Sequence, residues 1–171
     1  MTGEERRNRI LQMLKTQDTP LSGTILANEF HVSRQVIVQD IALMRAENHD
    51  ILSTNRGYLH RREETDISLP KRVFFIRHTT EQVLDEFMTV IELGGKVLDV
   101  VVEHEIYGQI RVDLLIESAK DAREFYDKLL NSKDNPLKVL TDDCHYHTVA
   151  APSEKLLDLI EQELRQKGYL L

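Results

Sequence analysis

Two histidines separated by one residue, in the run Cys144-His145-Tyr146-His147-Thr148, have the most evident chemical capacity in this chain. Neutral imidazole is a general base, a proton carrier and the commonest side chain on a transition metal. In an extended strand residues i and i+2 point to one side, so both rings project together while Tyr146 turns away. Adjacent imidazoles repel once either is charged, and a divalent cation held between them removes that conflict. His78 ends a strand-like run, and Glu86 lies eight residues on, where helical rise can return its carboxylate towards the strand ends. Three nitrogens and one oxygen suit zinc, nickel or iron better than magnesium or calcium. Spacing does not tie His78 and Glu86 to the pair, and an HxH in a strand also reads as polar surface, so both readings stand at this point. His104, in the loop His104-Glu105-Ile106-Tyr107-Gly108, either lines a ligand pocket or stabilises its own turn. The single cysteine, Cys144, alternates away from the two rings and reads as packing; it leaves no internal disulfide and no CxxC pair.

A second group of residues has the character of a nucleic-acid reader. Gln35 and Gln39 can pair with adenine N6 and N7, Arg34 with guanine or a phosphate, and Val38 with a thymine methyl, if one helix presents them after Ser33. Arg56 suits a phosphate or a narrow minor groove. Around them the pattern predicts three helices. Ile10, Leu11 and Leu14 recur at helical spacing over 4–16, Ser22 caps a short helix carrying Ile25, Leu26 and Phe30, and Ser33 caps a third with Ile37, Ile41 and Met44 on one face. A hairpin follows, 50–54 and 58–61 around Asn55-Arg56-Gly57. Helix, helix, short turn, polar-fronted third helix and hairpin make a winged helix-turn-helix.

Beyond a polar stretch at 63–69, read as a linker between domains 1–62 and 70–171, strands and helices alternate. A strand at 72–77, a helix from the Thr79/Gln82 capping box to Leu93, strands at 96–103 and 109–117, a helix after Ser118, strands at 137–140 and 144–150, and a last helix with Pro152 at its first position are expected. The order predicts an α+β chain: a winged helix-turn-helix, then a ferredoxin-like split βαβ domain with an added strand and a C-terminal helix.

Charge supports this division. The 171 residues carry a net charge of −7, but 1–62 hold nine Lys and Arg against seven Asp and Glu, while 63–171 hold thirteen against twenty-two. Phosphate attraction is local and screened within ~10 Å, so the acidic second half does not exclude DNA from the first. Hydrophobic residues at 41% and charged ones at 30% exclude a low-complexity or disordered chain. No apolar run approaches the ~20 residues a bilayer span needs, and Glu4 and Glu5 stand where a signal peptide is basic, so a cytoplasmic protein without membrane contact is expected.

The run Val32-Ser33-Arg34-Gln35-Val36-Ile37-Val38-Gln39-Asp40-Ile41, the segment Val102-Glu103-His104-Glu105-Ile106-Tyr107-Gly108-Gln109-Ile110 and the strand His145-Tyr146-His147-Thr148 together resemble the niacin-responsive (NiaR-type) transcriptional repressors of Gram-positive bacteria and Thermotogales. These join a winged helix-turn-helix to a three-histidine (3H) domain, and the resemblance covers nearly the whole chain. It implies one divalent transition metal per chain, nickel, zinc or iron, near a nicotinic acid pocket. By match to the family's motif the ligands fall on His78, Glu86, His145 and His147. His104, Tyr107 and Arg111 are the effector-binding candidates, and Glu105 departs from the family, which commonly has proline there. The implied protein is a non-enzymatic, homodimeric repressor of NAD biosynthesis or niacin uptake genes, held together by residues 70–171, with nicotinic acid as co-repressor. A regulator that senses the ion itself is the alternative. A hydrolase using metal-activated water is a third reading, opposed by the lack of a spare general base near the HxH and by the reader domain.

Overall fold

The computed structural model describes residues 1–61 and 69–171, which fall into two compact units, Met1–Asp66 and Ile67–Leu171. The expected linker at 63–69 lies, except for Leu69, outside the described residues.

The first unit holds α1 (Gly3–Thr16), α2 (Gly23–Glu29), α3 (Arg34–Ala46), β1 (Ile51–Thr54) and β2 (Gly57–His60). Each helix starts where a hydroxyl can satisfy an orphan N–H: Thr2 in a reciprocal capping box with Glu5, Ser22 towards Ile25, and Ser33 towards Val36. Ile10, Leu14, Leu26, Ile37, Ile41 and Met44 form the core. A carboxylate also sits on the inner face of α3. Asp40, 2% exposed, receives Arg6 Nε at 2.6 Å and Nη2 at 3.2 Å, a two-pronged bond that ties α1 to α3 and compensates the carboxylate's lost hydration. β1 and β2 pair antiparallel from Ile51↔His60 to Thr54↔Gly57. Leu21 bridges to β2, exchanging two 2.8 Å backbone bonds with Tyr58. Gly57 permits that approach: its φ is +140°, and a β-carbon there would lie 2.3 Å from the Leu21 carbonyl oxygen.

The second unit holds β3 (Lys71–Arg77), α4 (Val83–Glu92), β4 (Lys96–His104), β5 (Gly108–Ile116), α5 (Ala119–Asn131), β6 (Cys144–Ala150) and α6 (Glu154–Gln166). β5 pairs with β4, β4 with β6 and β6 with β3, all antiparallel, giving the order β5-β4-β6-β3. Each crossover, β3-α4-β4 and β5-α5-β6, therefore skips one strand, which is the split βαβ arrangement. Phe74, Ile76, Val97, Leu114, Ile116 and Val149 face Phe87 and Val90 of α4 and Leu157, Ile160 and Leu164 of α6 in one core, with Phe125 and Leu129 of α5 packed against it. Among the described residues of this unit no helix packs on the other face, where Val73 is 60% and Phe75 37% exposed.

Three local expectations are corrected. The added strand at 137–140 is a 3-10 turn, Leu137–Thr141, in which Val139 and Leu140 are exposed and Lys138 is buried. Apolar content suggested a strand, but Pro136 enters the turn and its carbonyl accepts from Val139 N–H, closing the chain on itself. The extra pairing on the sheet comes from the C-terminus, where Leu170 bridges Ile76, and Leu171 N–H donates to the Phe75 carbonyl. Ser153, not a residue before Pro152, is the N-cap of α6, so Pro152 precedes the helix. The Thr79/Gln82 capping box is present, but it opens a 3-10 turn, Thr80–Gln82, from which α4 continues.

Candidate metal centre

Register places the centre. On β6, His147 stands opposite Phe74 and His145 opposite Ile76, so both rings enter the helix-covered face and are 3% and 2% exposed. Tyr146 turns to the other face and stacks on Phe75 with ring centroids 4.6 Å apart. His78 is the first residue past β3, and Glu86 lies in the first turn of α4, 0% exposed. The ligand atoms of His78, Glu86 and His145 all lie within 4.8 Å of one another. His147 Nε2 adds a fourth, 3.4 Å from Glu86 Oε1.

Each imidazole is fixed from behind. Nδ1–H donates to a backbone carbonyl in all three rings: His78 to Thr79 at 2.8 Å, His145 to Asp143 at 3.0 Å and His147 to Asp99 at 2.5 Å. A carbonyl can only accept, so Nδ1 carries a proton in every ring, and each ring, when neutral, turns an Nε2 lone pair inward. His78 Nε2 then faces Glu86 Oε2 at 2.8 Å, a contact that needs a proton or a metal ion between two electron-rich atoms. Glu86 Oε1 is buried with no hydrogen-bond partner. An unsatisfied buried carboxylate oxygen among three inward lone pairs fits a divalent transition metal, and the borderline nitrogen-rich donor set fits that class without choosing a member.

The electrostatics agree. Burial alone would raise the Glu86 pKa, but the charge of His147, when that ring is protonated, and the close Nε2 contacts of His147 and His78 outweigh it and hold the carboxyl well below the usual range. Burial, together with the charge of His147, pushes His145 down to about 3, so that ring is neutral. His147 is also disfavoured by burial as a cation, yet the Glu86 carboxylate and the Asp99 contacts raise its pKa. One carboxylate and one protonatable imidazole are thus poised to exchange a proton for a metal ion.

The outer supports were not evident in the sequence. β4 shifts register between Val97 and Asp99, and this irregularity aims the Asp99 carbonyl at His147. The Asp99 carboxylate, 2% exposed, accepts from Thr148 N–H and Arg111 Nε at 2.9 Å each. Tyr169, from the C-terminal segment, lies edge-on to His78 at 5.7 Å, and its hydroxyl donates to Asp85 at 2.7 Å. The Tyr169 and Asp85 positions carried no recognisable spacing.

The other predicted site residues lie elsewhere. His104 and Tyr107 occupy the β4–β5 hairpin, where His104 Nδ1 accepts from Ile106 and Tyr107 N–H at 3.2 Å and Tyr107 is 77% exposed. Arg111 is bonded to Asp99 and, at 3.3 Å, to Asp113. In the first unit Ser33, Arg34, Gln35, Val38 and Gln39 are all exposed around the start of α3, while Ile37, Asp40 and Ile41 face inward. Arg56 sits half-buried in the wing turn, its N–H bonded to the Thr54 hydroxyl at 3.1 Å.

Comparison with known proteins finds similarity along nearly the whole chain. Residues 6–59 match an HTH domain and residues 71–171 match the 3H domain. The chain is 37% identical over 168 residues to a probable transcription repressor NiaR of Thermotoga maritima, covering 98% of this chain and 94% of that one. It is 34% identical over 172 residues to the transcription repressor NadR of Bacillus subtilis, covering 100% and 96%.

Proposed function

The chain belongs to the 3H-domain family, with an HTH domain ahead of the 3H domain, and on that premise we propose that it is a DNA-binding transcriptional repressor of NAD biosynthesis or niacin uptake genes. The observation that carries this reading is end-to-end similarity to two proteins named as transcription repressors. The polar reading set on α3 supports it: Arg34, Gln35, Val38 and Gln39 emerge together on the side facing away from the core, as base readout requires. The same relatives favour a regulator over a hydrolase. No helix among the described residues is long and apolar enough to cross a membrane, and the proposed place of action is the cytoplasm.

In this reading residues 70–171 bind one nickel, zinc or iron ion through His78, Glu86, His145 and His147, and nicotinic acid is the co-repressor. The bound ion supplies a cationic, Lewis-acidic centre that a carboxylate or pyridine nitrogen can approach. The chain's own part is to aim the three Nε2 atoms and to keep water away from Glu86. Arg111, with His104 and Tyr107, is the proposed effector-binding set; Arg111 is joined to the centre through Asp99, whose carbonyl holds His147. Operator binding requires two reading heads, so a homodimer is proposed. The helix-free face of the 3H sheet suits a second copy: Val73, Val101 and Tyr146 line a concavity of about 600 Å³ with Arg111 and Glu103, and a self-complementary face needs both charge signs.

A second reading has one specific support. All four ligands are 5% exposed or less, as suits a site closed around an ion that is itself the signal. A gel-shift titration of metal-loaded protein on its operator separates the two: binding that still requires nicotinate supports the first, and binding switched by metal alone supports the second.

A further inference from the structure

Three of the four ligands stand on regular structure, His145 and His147 on β6 and Glu86 on α4. His78 does not. The β3–β6 ladder ends at Arg77↔Cys144, and the next rung would set His78 against Asp143. There the chain turns through Asp142 and Asp143, both left-handed with φ of 50° and 65°. Non-glycine residues in that region need local compensation. Lys138 provides it. Its ammonium, 5% exposed with the residue as a whole, donates to the His78 carbonyl at 3.2 Å and pairs with Asp143 Oδ1 at 2.5 Å. Asp143 N–H donates back to the Lys138 carbonyl at 2.9 Å, and the Asp143 carbonyl receives His145 Nδ1–H at 3.0 Å.

We propose that Lys138 is a positioning residue of the metal centre, whose ammonium replaces the missing rung and sets the distance between His78 and His145. The inference rests on the metal reading above. Charge alone argues against placing a lysine here, because a buried cation beside a cation site weakens metal binding. Geometry and charge therefore predict opposite outcomes when Lys138 is neutralised. The Asp143 side chain is 40% exposed and the Lys138 side chain 6%, so the buried member is the one that reaches both ligand-bearing ends.

The test titrates full-length, metal-free protein with cobalt(II), whose visible bands report coordination geometry, and follows Lys138→Met, Asp143→Ala and, as a surface control, Lys120→Met at a side chain 82% exposed. Thermal melting of the metal-free variants is measured in parallel. Lys138→Met is expected to weaken cobalt binding about 10- to 100-fold, the usual effect of losing an outer support, and to shift the bands. Lys138→Met removes one partner only, and the Asp143 carboxylate, 40% exposed on its side chain, can turn to water, so the metal-free variant should still melt cooperatively with a modestly lower melting temperature. Asp143→Ala should move affinity and bands in the same direction, and Lys120→Met should move neither. Unchanged or tighter cobalt binding by Lys138→Met, with unchanged bands, overturns the proposal. Should Lys138→Met not fold, Asp143→Ala decides, and wild-type affinity there overturns it equally. A wild-type protein that takes up no cobalt removes the metal reading itself, a failure visible before any variant is made.

Discussion

At the scale of single residues, the imidazole nitrogens facing Glu86 decide what the C-terminal domain can do. Three rings whose Nδ1 protons are committed to carbonyls cannot donate again at Nε2 unless charged. His145→Ala or His147→Ala should therefore empty the centre, while His31→Ala and His49→Ala leave metal content unchanged; metal-to-protein ratios by mass spectrometry measure this. Full occupancy in both C-terminal variants would refute the assignment. Protons compete for the same atoms. His147, ordinarily near 6.5, is raised by Glu86, so in the metal-free protein its ion pair stabilises the fold fully below 6.5 and ceases to do so as pH climbs through the raised value. The Glu86 contribution is present above its ordinary 4.5 and disappears as pH falls through its lowered value. A metal must displace the His147 proton, whereas His145, pushed down to about 3, has none to release near neutrality. Metal affinity should thus rise with pH up to the raised His147 value and level off above it, with proton release seen as a dependence of binding heat on buffer ionisation enthalpy. An affinity flat across that range counts against the charge assignment.

At the scale of elements, the hydroxyl caps were legible because each cap is a local contract between one side chain and the next turn. Ser22, Ser33, Ser118 and Ser153 all act as N-caps, although the sequence pattern starts the last helix at Pro152, two positions before its first residue Glu154, because proline is equally at home in a first turn. The HxH pair was legible through strand alternation, and its burial confirms the face. Glu86 and His78 became members only through the pairing of β3 with β6 and the packing of α4, which no spacing encodes. Lys138 was obscured by its apolar neighbours Leu137, Val139 and Leu140, whose composition suggests a strand while the chain closes a 3-10 turn. Asp99 was hidden because a register shift, not a motif, aims its carbonyl. The DNA-reading elements have their own test. Gln39 is exposed on the first turns of α3, so Gln39→Ala should relax specificity at one operator position by about 1–3 kcal/mol. Arg56 is in the wing, so Arg56→Ala should weaken binding to cognate and scrambled DNA alike and flatten the salt dependence. Competition gel shifts at two salt concentrations distinguish the patterns; equal effects of both variants on both DNAs would sink the base-readout assignment.

At the scale of the whole molecule, one recognition helix reads too few base pairs for the ~10³–10⁷ preference over non-specific DNA that a repressor needs, so the proposed function predicts that two copies act together. If the helix-free face joins them, Val73→Lys, at a residue already 60% exposed, should lower the sedimentation coefficient at micromolar concentration without changing the helix content of the subunit. Operator affinity should fall with it; a Val73→Lys protein that stays dimeric moves the interface elsewhere. An effector bound within such a dimer can tighten the operator complex only by favouring the DNA-competent arrangement of the two reading heads, and typical couplings of about 1–3 kcal/mol correspond to about 5- to 150-fold in affinity. Nicotinate should produce that gain and nicotinamide should not, because a carboxylate can form a charge-assisted contact with the metal and the neutral amide cannot. Linkage requires the reverse effect at the same strength: operator DNA must raise nicotinate affinity by the same factor. Both effects should vanish in His145→Ala and after chelation, since either removes the cation from the pocket. Gel shifts at fixed salt, paired with calorimetry of nicotinate with and without operator, measure the two factors independently. Equal responses to acid and amide, an undiminished response without metal, or two coupling factors that disagree would each show that nicotinate does not act through this centre.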